Sequence, residues 1–206
     1  MKKSLVLALS LGLGILAGCS SESSKPAEKP QPKPPECATA RSAFQKCYVA
    51  AHGWARDAQP FRLESQLTSD CNGQDGKSAV WRANFASALQ HSVKPYLWSG
   101  TNAADAPARG VTFGSEDSYN PNNSSTRIFD IAYLKIDSDK ALEVAQKHGG
   151  AEILKKAPKT PVQYVLDWDG AENKLIWHIF YGASRSEAKL SVAVDATTGD
   201  FLRVEK

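Results

Sequence analysis

The segment Val162–Val204, VQYVLDWDGAENKLIWHIFYGASRSEAKLSVAVDATTGDFLRV, decides the fold of this protein. It contains four runs rich in β-branched and aromatic residues, which favour strands. These runs cover 162–168, 174–181, 189–194 and 200–204, and short polar segments, each with a glycine, separate them. Because strands joined by short turns pair antiparallel, the segment predicts an antiparallel meander.

A helix is predicted before these strands. Apolar residues recur at helical spacing from Ala141 to Ala145, and Gly149-Gly150 is typical of a helix end. Asp137 and Asp139 flank Ser138 at the helix start, where such residues cap free backbone N–H groups; calcium ligation is the alternative role for the two aspartates. The predicted fold class is therefore α+β, with a helix packed on an antiparallel sheet.

The first half of the chain follows a similar order. Helical periodicity over 38–57 precedes strand-like runs at 61–67, 79–86 and 93–98. Val80-Trp81 with Phe85 four residues after Trp81 is similar to Ile176-Trp177 with Tyr181. We interpret this as a degenerate internal repeat of two helix-plus-meander halves, residues 37–126 and 127–206. The alternative is a single α+β domain with hairpins that are similar by coincidence.

The segment between these patterns is polar and long. Residues 99–126 are rich in Gly, Asn, Ser and Asp, and loops of this length are uncommon unless they are functional or disordered. The segment 126–136 that follows is apolar on both faces and predicts a central strand. Five residues in or beside the long segment are candidates for contact with a partner: Trp98, Ser115, Asp117, Tyr119 and Asn120.

The N-terminus has the features of an export signal. Lys2 and Lys3 precede an apolar run to Leu16 that is too short to span a bilayer. Leu16-Ala17-Gly18-Cys19 resembles the lipobox of bacterial lipoproteins. The resemblance implies removal of residues 1–18 and acylation of Cys19, for example with palmitate, which anchors the chain in the lipid bilayer. An ordinary secretory signal with a chance cysteine is the alternative.

Two further expectations concern the location of the protein. Ser20, rather than Asp, follows the acylated cysteine, which by resemblance to lipoprotein sorting rules implies the outer membrane, facing the periplasm. Residues 19–36 predict a disordered leash, because residues 20–36 contain four Ser and five Pro and no branched apolar or aromatic side chain.

The charge balance limits the class of partner. The chain has 25 basic and 22 acidic side chains. Loss of Lys2 and Lys3 with the signal would leave 23 basic and 22 acidic residues. A nearly neutral protein without a basic cluster argues against nucleic acid as a partner.

Three cysteines remain after the lipidated one, in a compartment where disulfides persist. Cys37 and Cys47 would lie about 15 Å apart along the predicted helix, which exceeds the span of a disulfide. If the following strand folds back along the helix, Cys71 arrives near Cys37. We therefore predict a Cys37–Cys71 disulfide and a buried Cys47 thiol.

The second half resembles PepSY domains. The resemblance depends on the helix sequence Lys140-Ala141-Leu142-Glu143-Val144-Ala145 and on the C-terminal run Leu190–Leu202, with an alternating strand, Asp195-Ala196 and a Thr198-Gly199 turn. It implies one helix on an antiparallel sheet, in exported proteins associated with the regulation of extracytoplasmic peptidases or with assembly. It supplies no catalytic residues.

The sequence contains no recognisable catalytic or metal-binding motif. The four histidines lack metal-ligand spacing, and nucleophile-elbow and phosphate-loop motifs are absent. We predict a protein without a cofactor or metal that is not an enzyme and acts as a binding or regulatory module for a periplasmic protein or peptide. The alternatives are a small envelope hydrolase with an unrecognised site, or a structural envelope spacer.

Overall fold

The computed structural model describes residues 33–205, which excludes the predicted signal peptide and Cys19. Within that range there are three α-helices and eleven strands. The helices are α1 (Ala40–Trp54), α2 (Ser138–Ala145) and α3 (Ala151–Lys156). The strands are β1 (Ala38–Thr39), β2 (Gln59–Gln66), β3 (Lys77–Ser78), β4 (Val80–Ser87), β5 (Ser92–Ser99), β6 (Gly110–Phe113), β7 (Asp117–Ser118), β8 (Val162–Asp169), β9 (Lys174–Tyr181), β10 (Ser191–Asp195) and β11 (Phe201–Glu205).

Nine of these described strands form one antiparallel sheet in the order β11-β10-β9-β8-β2-β4-β5-β6, with β7 paired to β5. The predicted C-terminal meander is present as β8 to β11. The strands of the two halves meet at the centre, where β2 pairs antiparallel with β8 and Leu63 lies opposite Leu166. Residues from 34 onward therefore form one compact unit, in which the two predicted halves share a single sheet.

The helices cover one face of the sheet, as the α+β prediction requires. Helix α1 buries Ala40, Ala43, Phe44, Cys47 and Ala51, residues spaced three and four apart. On β9 the residues Leu175, Trp177 and Ile179 belong to the same hydrophobic core. The alternate residues of β9 face the opposite side of the sheet, because strand side chains alternate.

The second helical segment is longer than expected. A turn at Gln146–Gly150 includes Gly149 at φ +107°, a conformation that glycine adopts readily, and α3 then continues to Lys156. The predicted stop at Gly149-Gly150 is therefore a kink between two helices. Gly150 sits against the Tyr181 hydroxyl, where no side chain would fit.

Two predictions about the middle of the chain were wrong. Residues 126–136 do not form a central strand. A 3₁₀ turn at Ser124–Thr126 ends where this segment begins, a second turn lies within it at Ile131–Tyr133, and β8 occupies the centre of the sheet instead. The segment 99–126 is not one long loop, because β6 and β7 within it both pair with β5. The apolar residues at 128–134 predict a strand from composition alone. Composition does not distinguish a strand from a segment that packs on the core without hydrogen bonds to a neighbouring strand.

The predicted leash extends too far toward the domain. The Glu36 N–H donates to the Gly100 carbonyl at 2.9 Å, and the Arg109 guanidinium donates to the Pro34 carbonyl at 2.7 Å. Residues 34–36 therefore belong to the folded unit. The rest of the predicted leash, up to residue 32, lies outside the described residues.

The cysteines pair as expected from the sequence. Cys37 and Cys71 form a disulfide with a Cα–Cα distance of 6.3 Å, and Cys47 is a buried free thiol. No helix within residues 33–205 is long and apolar enough to cross a membrane.

Candidate functional site

The face of the sheet opposite the helices contains the candidate site. On β9 this face carries Ile176, His178 and Phe180, and on β2 it carries Arg62 and Glu64. Arg62, Glu64 and His178 are fixed on strands, which position them more rigidly than a loop would.

Six charged side chains on this face form a continuous network, which we call the charge row. Its members, in spatial order, are Glu64, Arg62, Asp167, His178, Glu205 and Arg203. Arg62 links the first two carboxylates, with its Nε 2.9 Å from Glu64 Oε2 and its Nη1 3.0 Å from Asp167 Oδ2. The charge row alternates in sign and spans the sheet from β2 to β11.

His178 occupies the centre of the charge row. Its Nε2 lies 3.2 Å from Asp167 Oδ1, and its Nδ1 lies 2.8 Å from Glu205 Oε1. An imidazole that faces a carboxylate at both nitrogens satisfies both contacts only as the doubly protonated cation. Burial opposes that charge, but the hydrogen bonds and charges of Asp167 and Glu205 outweigh it and raise the pKa of His178 to about 9.

The partner carboxylate responds in the opposite direction. Burial raises the pKa of Glu205, but the hydrogen bond and charge of His178 and the hydrogen bond from Ser191 more than offset this, so the net pKa is lowered. His178 and Glu205 are thus a mutually stabilised ion pair at neutral pH. Because both ring nitrogens are engaged, His178 has no free lone pair with which to act as a base.

A cleft of about 380 Å³ lies over the charge row, and we call it the sheet cleft. Its lining includes Phe61, Ser124, Ser125, Trp168 and Asp169 in addition to members of the charge row. Two further arginines, Arg127 and Arg185, also line it. The turn at 124–126, which the sequence analysis placed at the boundary between halves, forms one wall.

The same face continues into the N-terminal half as a second cleft of about 450 Å³ beside Phe61. Arg82, Asn84, Ser115 and Asp117 are among its lining residues. Lys94 closes one side, where its ammonium group contacts Glu116 at 3.1 Å.

The five predicted partner-binding residues are separated by this arrangement. Ser115 and Asp117 are exposed and line the second cleft, and Asn120 is exposed nearby in sequence. Tyr119 is half-buried, with its N–H donating to the His91 carbonyl. Trp98 lies on the other side of the sheet in the core under α1 and is only 3% exposed, so its indole ring is not available to a partner in this conformation.

Asp137 and Ser138 have a capping role. Asp137 Oδ1 accepts from the Ser138 and Arg41 N–H groups, and Ser138 Oγ accepts from the Ala40 N–H at 2.9 Å. The start of α2 therefore caps the start of α1. A groove of about 550 Å³ beside this junction has these polar atoms already engaged, and residues 33–205 contain no cluster of His, Cys, Asp or Glu suited to a metal ion.

The sequence analysis missed the charge row and the arginines of the sheet cleft. Alternation along β9 places His178 on the face opposite Trp177, and that is where it lies. Arg62, Arg127, Arg185 and Arg203 are far apart in the chain and fit no motif. The alternation of Arg62 and Glu64 on one strand face was the available signal, but it does not reveal which strand lies next to β2.

No protein-family model matches the chain, and no curated protein matches it. The fold is similar to the crystal structure of a protein from Clostridium difficile 630 that is described as a candidate lipoprotein. The similarity covers 79% of this chain and 91% of that chain, with 14% sequence identity and a TM-score of 0.51. At this identity the similarity concerns the fold alone.

Proposed function

We propose that this protein is an extracytoplasmic lipoprotein, anchored by acylated Cys19 in the outer membrane and facing the periplasm. Its domain acts as a non-catalytic binding or regulatory module for a periplasmic protein or peptide. The lipobox at 16–19, the apolar run before it and the disulfide between Cys37 and Cys71 support export. The described fold neighbour from Clostridium difficile is a candidate lipoprotein as well.

The observation that carries the binding role is the open face of the sheet. It presents two clefts, of about 380 and 450 Å³, that share the lining residue Phe61. Ligand sites in proteins are typically concave and place a few polar groups on rigid elements. The face of the sheet beneath the helices cannot serve in this way, because its side chains pack in the hydrophobic core.

The PepSY resemblance suggests a peptidase or another envelope protein as the regulated partner. The helix-on-sheet architecture supports this resemblance, and the Asp195 turn has the expected chemistry. Asp195 Oδ1 accepts from the N–H groups of Thr197 and Thr198, at 2.8 and 3.1 Å.

Site-specific photo-crosslinking in living cells tests the binding role. A photoreactive amino acid is placed at Asp117 or Ser125 on the rims of the two clefts, and at Val49 as a control. Val49 is on α1 and is 69% exposed, so it samples the opposite face equally well. We expect the same partner from both cleft positions and none from Val49. Equal capture at all three positions, or none at any, would contradict the proposal and favour a spacer.

The anchor is tested separately. Cells that express Cys19→Ser are labelled with an alkyne analogue of palmitate, and the protein is then fractionated. We expect loss of the label and release from the outer-membrane fraction. Label retained on the Cys19→Ser protein would show that another residue is acylated.

A further inference from the structure

Two arginines on the rim of the sheet cleft stand apart from the charge row. Arg127 and Arg185 both line the cleft and are exposed. Among the described residues, neither has a carboxylate within ion-pair distance, whereas Arg62 and Arg203 each contact at least two. Arg185 lies near enough to Glu205 for its positive charge to help lower the pKa of that carboxylate, but neither guanidinium group makes an ion pair among the described residues.

Both arginine side chains make contacts that hold them at the cleft. Arg185 lies over the Phe180 ring, with its Cζ 5.3 Å from the ring centroid, a cation–π contact. The Arg127 guanidinium packs against Gly170, so closely that a Cβ at that position would overlap it. These contacts hold both side chains at the cleft while leaving their N–H donors available.

The charges in and around the cleft balance. Five cations and five carboxylates occur in and around it: Arg62, Arg127, His178, Arg185 and Arg203, against Glu64, Asp167, Asp169, Glu172 and Glu205. The balanced total gives no long-range attraction for a polyanion such as an anionic membrane surface. The choice of ligand would therefore depend on local hydrogen-bond geometry. The planar guanidinium group of arginine can donate two parallel hydrogen bonds to one carboxylate.

We propose that Arg127 and Arg185 form a clamp for an acidic peptide segment in the sheet cleft, each binding one side-chain carboxylate of that segment. This inference rests on the proposed function, since it names the chemistry of the partner that the open face binds. Trp168 and Phe61 supply apolar walls for the methylene groups of the acidic side chains, and the charge row forms a floor whose own charges are already paired.

Fluorescence anisotropy with the full-length protein in neutral detergent tests the clamp. The probe is a short labelled peptide of alternating Glu and Ala, and the matched control peptide has Gln in place of Glu. The double variant Arg127→Gln/Arg185→Gln is compared with Arg56→Gln/Lys155→Gln, which removes two exposed charges that do not line the cleft. We expect the first variant to raise Kd about tenfold or more and the second to change it less than about twofold.

A third variant tests position rather than charge. Gly170→Ala displaces the Arg127 guanidinium and keeps every charge, and Gly170 does not have the positive φ that would strain an alanine. We expect weaker binding of the Glu peptide with an unchanged unfolding transition. Circular dichroism of each variant establishes that the fold is intact before binding is interpreted.

The outcomes separate the inference from the proposed function. Equal binding of the Glu and Gln peptides, unaffected by the arginine variants, would overturn the clamp and leave the binding role supported. Competition by inorganic phosphate or by a soluble short-chain phosphatidylglycerol as strong as that by the Glu peptide would overturn the choice of a carboxylate. No binding of either peptide, together with productive crosslinking at the cleft rims, would overturn the clamp alone.

Discussion

Trp81 and Trp177 make the same hydrogen bond in the two halves of the protein. The Trp81 indole N–H donates to the Ala38 carbonyl, and the Trp177 indole N–H donates to the Ile136 carbonyl, each over 2.9 Å. Each carbonyl lies two residues before the first residue of a helix, α1 or α2. In each half, therefore, a buried tryptophan on the second long strand fixes where the preceding helix begins.

This equivalence predicts similar losses on substitution. We expect Trp81→Phe and Trp177→Phe each to lower the free energy of unfolding by about 2–4 kcal/mol, because each leaves a carbonyl without its donor and a gap in the core. Both should retain one cooperative transition in urea, since β2–β8 pairing joins the halves. Trp98→Phe, a buried tryptophan with no such bond, should lose less; separate transitions for the two halves would refute the single-sheet argument.

The His178 ion pairs predict a pH dependence of stability. The pKa of His178 is about 9 in the folded protein against an ordinary value of 6.5, so the unfolded chain gives up this proton first as pH rises. The stabilisation is complete below pH 6.5 and is lost as pH rises through 9, by roughly 3 kcal/mol in total. Urea titrations at pH 6 and pH 9 measure it, and His178→Gln should reduce the difference. If His178→Gln shows the same difference in unfolding free energy between pH 6 and pH 9 as the unchanged protein, other groups cause the pH dependence.

Two glycines should respond to alanine in opposite directions. At Gly150 a Cβ would overlap the Tyr181 hydroxyl, so we expect Gly150→Ala to destabilise the protein by about 1–3 kcal/mol. At Gly53, in α1, nothing lies within 4 Å of the added Cβ, and Gly53→Ala should stabilise by up to about 1 kcal/mol. Thermal unfolding of the pair measures both. A stabilised Gly150→Ala would mean that Tyr181 moves aside without cost.

The cysteines predict a defined pattern of thiol chemistry. Burial raises the pKa of Cys47 to about 12, and the charge of Lys46 offsets this only partly. We expect a thiol reagent to modify Cys47 only after unfolding. Replacing both Cys37 and Cys71 with Ser should cost about 3–4 kcal/mol, because the disulfide closes a segment of 34 residues. Rapid labelling of the native protein would show that the core opens around α1.

The boundary between leash and domain can be tested by paired deletions. Removing residues 20–32 should leave the melting temperature unchanged. Removing 20–36 should lower it by several degrees, because the Glu36 N–H bond to Gly100 and the Glu36–Lys46 ion pair at 3.4 Å are lost. A fall of the same size in both deletions would place the boundary nearer Cys19.

Much of the fold could be predicted because its signals are local. Strand alternation in β8 and β9, helical spacing in α1 and turn glycines such as Gly199 each depend on neighbours within a few residues. The pairing of Cys37 with Cys71 also followed from local lengths, since it needed only a helix and a returning strand. The strand predicted at 126–136 was wrong because an apolar segment can pack on a core without any ladder partner.

The candidate site could be predicted only in part. Asp117 and Ser115 were found through the polar composition of their segment, and they do line a cleft. Trp98 was named because it precedes that segment, but strand β5 turns its side chain toward α1. Composition indicates which segments are polar and exposed. It does not indicate on which face of the sheet a given side chain lies.

The sequence by itself determined the longer strands of the two meanders, helix α1, the start of α2, the cysteine pair and the features expected of an exported lipoprotein, since each depends on spacing along the chain. Only the tertiary structure decided that the two halves join at β2 and β8. That single junction brings Arg62 to Asp167, 105 residues apart, and so completes the charge row. The sequence near a charged residue does not indicate an ion-pair partner at such a separation. Strand order brings the two side chains together, and that order depends on how the whole chain buries its apolar surface.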